Sequence, residues 1–215
     1  MGIHAVHLYA ILGWIIWCTL HSFLISMPVT EYMKRRLRDR FRFYRLFYCA
    51  FSLATLTPLV LYCVSIRQEP IFRWKGTLTV IPYLLLAAGV GLFCMGGRNY
   101  SLFRFLGITQ IRKGESNGSL SGYNSFVVSG IHRIIRHPWY LGGIVIVWAE
   151  DLSPSAVLIN LVISSYFVIG TFLEEGKMVR EFGDRYREYQ RNVSMFFPYK
   201  WLKARITGKV RFHCE

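Results

Sequence analysis

The sequence predicts an all-α integral membrane protein of about five transmembrane helices, closed by a C-terminal cytoplasmic amphipathic helix. Three observations carry this. Of the 215 residues 53% are apolar and only 18% charged, where a soluble domain carries about a quarter charged. The apolar residues gather into five runs, and Lys and Arg are confined to the segments between and after them.

The first run extends from about Ala5 to Met27. It exceeds the roughly 7–15 apolar residues of a signal peptide and has no basic segment before it, so it reads as a spanning helix. The second run is Phe47 to Ile66 and the third Leu78 to Met95, each close to the roughly 20 residues a span needs. The fourth, Trp139 to about Ala149, is short for a perpendicular crossing; the fifth runs from Pro154 to Phe172. Only Glu150, Asp151 and Pro154 break the last two runs, which predicts a tight helical hairpin whose tip barely leaves the bilayer. The whole of 1–215 forms one domain.

The net charge of +14 raises the question of nucleic acid. All but three of the 26 Lys and Arg fall in 34–45, 98–136 and 177–211, which share one side of the membrane if the helices alternate. Topology and attraction to anionic lipid therefore explain the charge without nucleic acid. The positive-inside rule puts the N-terminus outside and the C-terminus in the cytoplasm; an inner bacterial membrane is the expected location. No Cys-x-x-Cys pair or Cys/His cluster occurs, so neither a disulfide framework nor a zinc site is expected. Cys214 is second from the end and not in a prenylation box.

After the fifth run, Val179, Phe182, Tyr186, Tyr189 and Val193 recur at helical spacing and form one apolar stripe. Gly183 either weakens this helix or breaks it, with Asp184 capping a second one. Lys113 to Ser125 is rich in Gly, Ser and Asn and reads as a mobile cytoplasmic loop.

Three features do not follow from spanning alone. The first is Arg136-His137-Pro138-Trp139-Tyr140 at the mouth of the fourth run. Proline suits a first helical turn, and the free N–H groups there favour an anion. Arg136 and His137 add donors, so the site suits a carboxylate. The second is Glu174-Glu175, where the fifth helix is expected to emerge on the same side. Acids at a helix C-terminus oppose its dipole, so the pair needs a cation, either Lys177 and Arg180 or a ligand's ammonium or sulfonium. The third is the aromatic face of Phe182 to Tyr189, which packs or walls a base.

Taken in order, Val127-Val128-Ser129-Gly130, Arg136 to Tyr140, Glu174-Glu175, Phe182-Gly183-Asp184-Arg185-Tyr186 and Pro198 resemble the isoprenylcysteine carboxyl methyltransferase family. That resemblance, over roughly 126–200, extends to its relatives among phospholipid N-methyltransferases and bacterial methanethiol S-methyltransferases. It implies an S-adenosyl-L-methionine-dependent methyltransferase whose cofactor is enclosed near the cytoplasmic face by 126–200. By the same resemblance, His137 and Tyr140 meet the methionine part, Glu174 or Glu175 its ammonium, and Gly130 and Tyr186 help enclose the nucleoside, while Arg136 joins the cofactor-binding set as the donor beside them.

The acceptor is expected to be a small thiol or a lipophilic thiol or amine reaching the site from the lipid or the cytoplasm. A thiol needs only to be ionised, whereas an amine or carboxylate must be held, with Arg98 and Arg104 as candidate catalytic partners. His21-Ser22, Tyr44-Arg45 and Phe105 to Gln110 look like the methanethiol branch. Gly170 to Leu173 lack the arginine usual in the prenylcysteine branch, which argues against a prenylcysteine carboxylate. His21 faces an internal cavity or bonds a neighbouring helix, because polar groups in spans rarely face lipid. Two other readings compete: an NADPH-dependent membrane reductase of the sterol reductase type, and a non-catalytic membrane protein of the same fold.

Overall fold

The computed structural model describes residues 3–66, 69–98, 102–114 and 128–208. The expected mobile loop of 113–125 lies almost wholly outside them. The chain is all-α, and among the described residues four helical stretches are long and apolar enough to cross a membrane.

Helix α1 (Ile3–Ile25) turns at Ser26 into the shorter α2 (Met27–Leu37), whose Pro28 occupies the first helical turn. A 3₁₀ segment (Arg38–Phe43) then leads into α3 (Tyr44–Ser65). Helix α4 (Val80–Gly97) is followed by two short pieces, α5 (Leu102–Phe105) and α6 (Ile108–Lys113). The carboxyl half comprises α7 (Pro138–Val147), α8 (Pro154–Phe182), α9 (Asp184–Asn192) and α10 (Tyr199–Ile206).

Of the five expected runs, four are helices of membrane length among the described residues, and the fourth, expected to be short, forms α7. At ten residues α7 is about 15 Å long, half of the roughly 30 Å hydrocarbon thickness. It packs on α4 and α8. Its contact with α4 depends on small residues: a Cβ at Gly142 would lie 2.9 Å from the Gly89 carbonyl oxygen, and the Trp139 ring fills the space beside Gly96. Such close backbone approach is how helices associate in lipid, where no hydrophobic force separates them from the tails. The Trp139 indole N–H donates to the Phe93 carbonyl at 3.0 Å.

The hairpin tip between α7 and α8 is held by the opposite loop. Phe72 and Leu152 exchange backbone hydrogen bonds of 3.1 and 2.9 Å, and the Trp74 amide donates to Asp151 at 3.0 Å. At the other end of the bundle, Lys177 Nζ donates to the Ile25 carbonyl at 2.9 Å. A cation there complements the C-terminal dipole of α1 and fixes the depth of α8 against it.

Helix α8 does not stop near Phe172. Nothing from Pro154 onward breaks it until Gly183, which takes φ +58° and ψ −132°. Its 29 residues amount to about 44 Å, so the last turns project beyond the apolar stretch. The stop at Gly183 makes the break in the stripe real. Asp184 is the first residue of α9 and pairs with Arg187 at 2.9 Å, while Gly183 holds the cap position. Tyr186, Tyr189, Val193, Met178 and Val128 form a buried cluster with Val179 and Phe182 packed against it, as the spacing predicts.

Candidate functional site

The motif from Arg136 to Tyr140 is positioned by backbone pairing. Ile135 forms a parallel bridge with Ser194. The Arg136 amide donates to Ser194 at 2.8 Å and the His137 amide to Met195 at 3.2 Å. The Tyr189 hydroxyl donates to the His132 carbonyl at 2.7 Å, so α9 and the segment after it hold the strand-like entry to α7. Pro138 then starts the helix.

Glu174 and Glu175 lie inside α8, two turns before its end, and not at a C-terminus. The dipole conflict expected there is small, because the effect is confined to the last turn. The cation expected of Glu175 comes from within the chain. Its Oε1 accepts from Arg136 Nε at 2.6 Å and faces His137 Nε2 at 2.9 Å, and its Oε2 accepts from Gln190 at 2.7 Å. Arg136 is further occupied by the carbonyls of Gln190, at 3.1 Å, and Val193. Of the alternatives weighed from sequence, Lys177 donates to the Ile25 carbonyl and also interacts electrostatically with Glu174, while Arg180 reaches the Met27 sulfur.

Glu174 occupies a different place. Its side chain is 27% exposed against 8% for Glu175. It lies 3.8 Å from His137 Nδ1, and the Tyr140 hydroxyl donates to it. The His137 imidazole thus stands between two carboxylates, edge-on to the Tyr140 ring at 5.6 Å. Beside this group the first turn of α7 presents amides that no helical carbonyl can take up. The arrangement can receive a zwitterion: the Glu174 carboxylate suits an ammonium, and the helix N-terminus suits a carboxylate.

The remaining predicted residues are dispersed. Gly130 opens a 3₁₀ turn (Gly130–Arg133) at φ +56°, and a Cβ there would meet nothing within 4 Å. Tyr186 is 2% exposed, and its ring packs against Tyr189 at 5.6 Å rather than presenting a face. Burial, reinforced by Glu175 and Glu174, holds its hydroxyl well above the usual range. Arg98 caps the end of α4, exposed, and Arg104 is in α5.

Sequence reasoning missed Gln190 and the carbonyls of Gln190 and Val193 as partners in this group. Gln190 sits beside Tyr189 on α9, and its polarity next to the apolar stripe was the available signal. It also missed a second polar group: Tyr48 and Ser52 of α3 meeting His21 of α1, with His21 Nε2 2.6 Å from the Tyr48 hydroxyl and Nδ1 3.0 Å from Ser52 Oγ. Near it, a groove of about 700 Å³ runs between α1 and α8, lined in part by Cys18, Ser22, Ser165, Tyr166 and Leu173.

The family model described as NnrU protein matches residues 9–172. Similar curated proteins include the methanethiol S-methyltransferase of Pseudomonas deceptionensis, 39% identical over 34% of this chain and 29% of its own. Methanethiol S-methyltransferase 1 of Bradyrhizobium diazoefficiens is 37% identical over 33% of this chain and 25% of its own. Methanethiol S-methyltransferase 2 of the same organism is 29% identical over 50% and 41%. The matched stretches span under half the length of each of these relatives. No solved structure matches the chain.

Proposed function

The chain belongs to the NnrU protein family, and from that premise we propose that it is a membrane methyltransferase using S-adenosyl-L-methionine and a small thiol acceptor. The similarity to proteins named methanethiol S-methyltransferase supports the reaction and the acceptor class. The observation that carries the reading is the convergence of Tyr140, His137 and the part-exposed Glu174 at the N-terminus of α7.

These residues fit the amino-acid end of S-adenosyl-L-methionine. Glu174 takes the ammonium and the first-turn amides of α7 the carboxylate, while Tyr140 fixes the Glu174 carboxylate in place. Glu175 holds Arg136 and His137, so these two shape the site and the guanidinium is not a donor to the ligand. The open space at Gly130 admits the nucleoside. The bound cofactor supplies a methyl group on a positively charged sulfur, ready for in-line attack. The protein's share is orientation and exclusion of water. The basic ends of the helices support a cytoplasmic position for this site.

The test is calorimetric binding of S-adenosylhomocysteine to the purified chain, with headspace detection of dimethyl sulfide from methanethiol and S-adenosyl-L-methionine. Binding and product together are expected. Stabilisation by NADPH and not by S-adenosylhomocysteine would replace this reading with a reductase, and response to neither would leave a non-catalytic membrane protein.

A further inference from the structure

The His21 group lies inside the membrane-spanning bundle and is not used by the cofactor reading. An imidazole in a span is costly to bury, and such residues mark functional polar sites more often than passive ones. Its surroundings are built: the His21 ring stacks on Trp17 at 4.7 Å and 22°, and both nitrogens face hydroxyls, at 2.6 Å to Tyr48 and 3.0 Å to Ser52. With the Tyr48 hydroxyl donating to Nε2, Nδ1 carries the proton and donates to Ser52. The imidazole is then neutral, with its basic nitrogen already joined to a second acid group.

Depth places this pair opposite the cofactor residues. Lys177 is level with Ile25 through their 2.9 Å bond, and α1 and α8 both run toward this end. Glu174, three residues earlier in α8, is therefore level with about Ser22 and His21. Tyr48 lies four residues into α3, about 6 Å from the same end. A continuous series of ring contacts joins the two groups: His21 to Tyr166 at 6.2 Å, Tyr166 to Phe167 at 5.9 Å, Phe167 to Tyr140 at 5.9 Å and Tyr140 to His137 at 5.6 Å. Tyr166 also lines the groove between α1 and α8, by which a small apolar thiol can enter from the lipid.

Resting on the methyltransferase reading, we propose that Tyr48 and His21 form a relay that ionises the thiol acceptor. The Tyr48 oxygen takes the S–H proton as its own O–H proton passes to His21 Nε2, leaving a thiolate and an imidazolium. The thiolate's electron pair forms the new sulfur–carbon bond; the bond from the methyl carbon to the donor sulfur breaks and its pair stays on that sulfur. The imidazolium then returns its proton to water through Tyr48. The titratable and charged groups around the relay are Tyr166 from α8, with Cys18 of α1 beside it, Tyr140 from α7, and Cys49 and Arg45 from α3.

The experiment compares the wild-type chain with His21→Gln and Tyr48→Phe. S-adenosylhomocysteine affinity is expected to be unchanged in both. The rate with methanethiol should fall about 10²-fold or more, the usual contribution of a positioned base, while the rate with 4-nitrothiophenol, already ionised at neutral pH, should barely change. A second readout needs no turnover: with S-adenosylhomocysteine present, the thiolate absorbance of thiophenol should appear at lower pH with wild type than in empty micelles, and this shift should be lost in the variants. Equal losses on both thiols would assign the group to helix packing and overturn the relay. So would an unshifted thiophenol titration in the wild type, which stands even if both variants fail to fold. A wild-type chain that neither binds S-adenosylhomocysteine nor methylates any thiol would overturn the methyltransferase reading, and the relay with it.

Discussion

Glu175 and Arg136 form a buried ion pair, Oε1 to Nε at 2.6 Å, with side chains 8% and 7% exposed. They lie 39 residues apart, on α8 and in the segment leading into α7. The pair ties the Arg136 to Tyr140 motif to the helix that carries Glu174 and Glu175. It also distinguishes the two adjacent glutamates: Glu175 is buried in the ion pair, and Glu174 is part-exposed and accepts from Tyr140.

Replacing Glu175 by Gln removes the charge opposite a buried guanidinium and keeps the shape. Breaking one side of such a pair is costly because the other charge stays buried, so a loss on the order of 3 kcal/mol is expected. The melting temperature in detergent, without ligand, should fall well below wild type. An unchanged melting temperature would mean that the Gln190 and Val193 carbonyls alone hold Arg136.

The contact between α4 and α7 gives a second expectation. At Gly142 a Cβ would sit 2.9 Å from the Gly89 carbonyl oxygen and 3.1 Å from the Phe93 ring, so Gly142→Ala forces the helices apart. Overpacking of this kind costs about 1–3 kcal/mol. Gly91→Ala is the control, since a Cβ there meets nothing within 4 Å. Thermal melting of the two variants should differ in that order.

Much of this arrangement was legible in sequence for identifiable reasons. Apolar runs of membrane length and the 3-4-3-4 stripe from Val179 to Val193 are local periodicities, and both reappear as helices and as a buried face. Helix ends were less legible: Phe172 closes the apolar run, but a helix ends where its backbone hydrogen bonding ends, at Gly183. The partners of Glu175 were not legible. Its choice of Arg136 and His137 over Lys177 and Arg180 depends on a long-range bridge between Ile135 and Ser194 that leaves no periodic trace. The aromatic face that carries Tyr186 read first as packing and second as a wall for a base, and its 2% exposure accords with packing.

Membrane orientation is tested by single cysteines. The loop carrying Lys75 and the α9 segment carrying Arg187 lie at opposite ends of the bundle, and the basic residues cluster at the latter. A cysteine at Lys75 should react with an impermeant maleimide added outside cells, and one at Arg187 only after lysis. The reverse pattern would put the His137 group on the outer side.

The division between the two glutamates makes the sharpest prediction. Glu174 is part-exposed and accepts from Tyr140, Gln keeps an acceptor there, and Lys177 keeps its bond to the Ile25 carbonyl, so with Glu174→Gln the melting temperature without ligand should stay near wild type. With ligand, the lost charge-assisted bond to an ammonium should weaken S-adenosylhomocysteine binding by about 1.5–3 kcal/mol, roughly 10- to 100-fold. Tyr140→Phe removes the hydroxyl that orients the carboxylate and should weaken binding less. Combined with Glu174→Gln it should add little, because residues acting through one contact are not additive. Glu175→Gln gives the opposite pattern, with stability lost before any ligand is added. If Glu174→Gln instead melts early and binds S-adenosylhomocysteine as wild type does, the carboxylate serves the fold alone and the ammonium site proposed here is wrong.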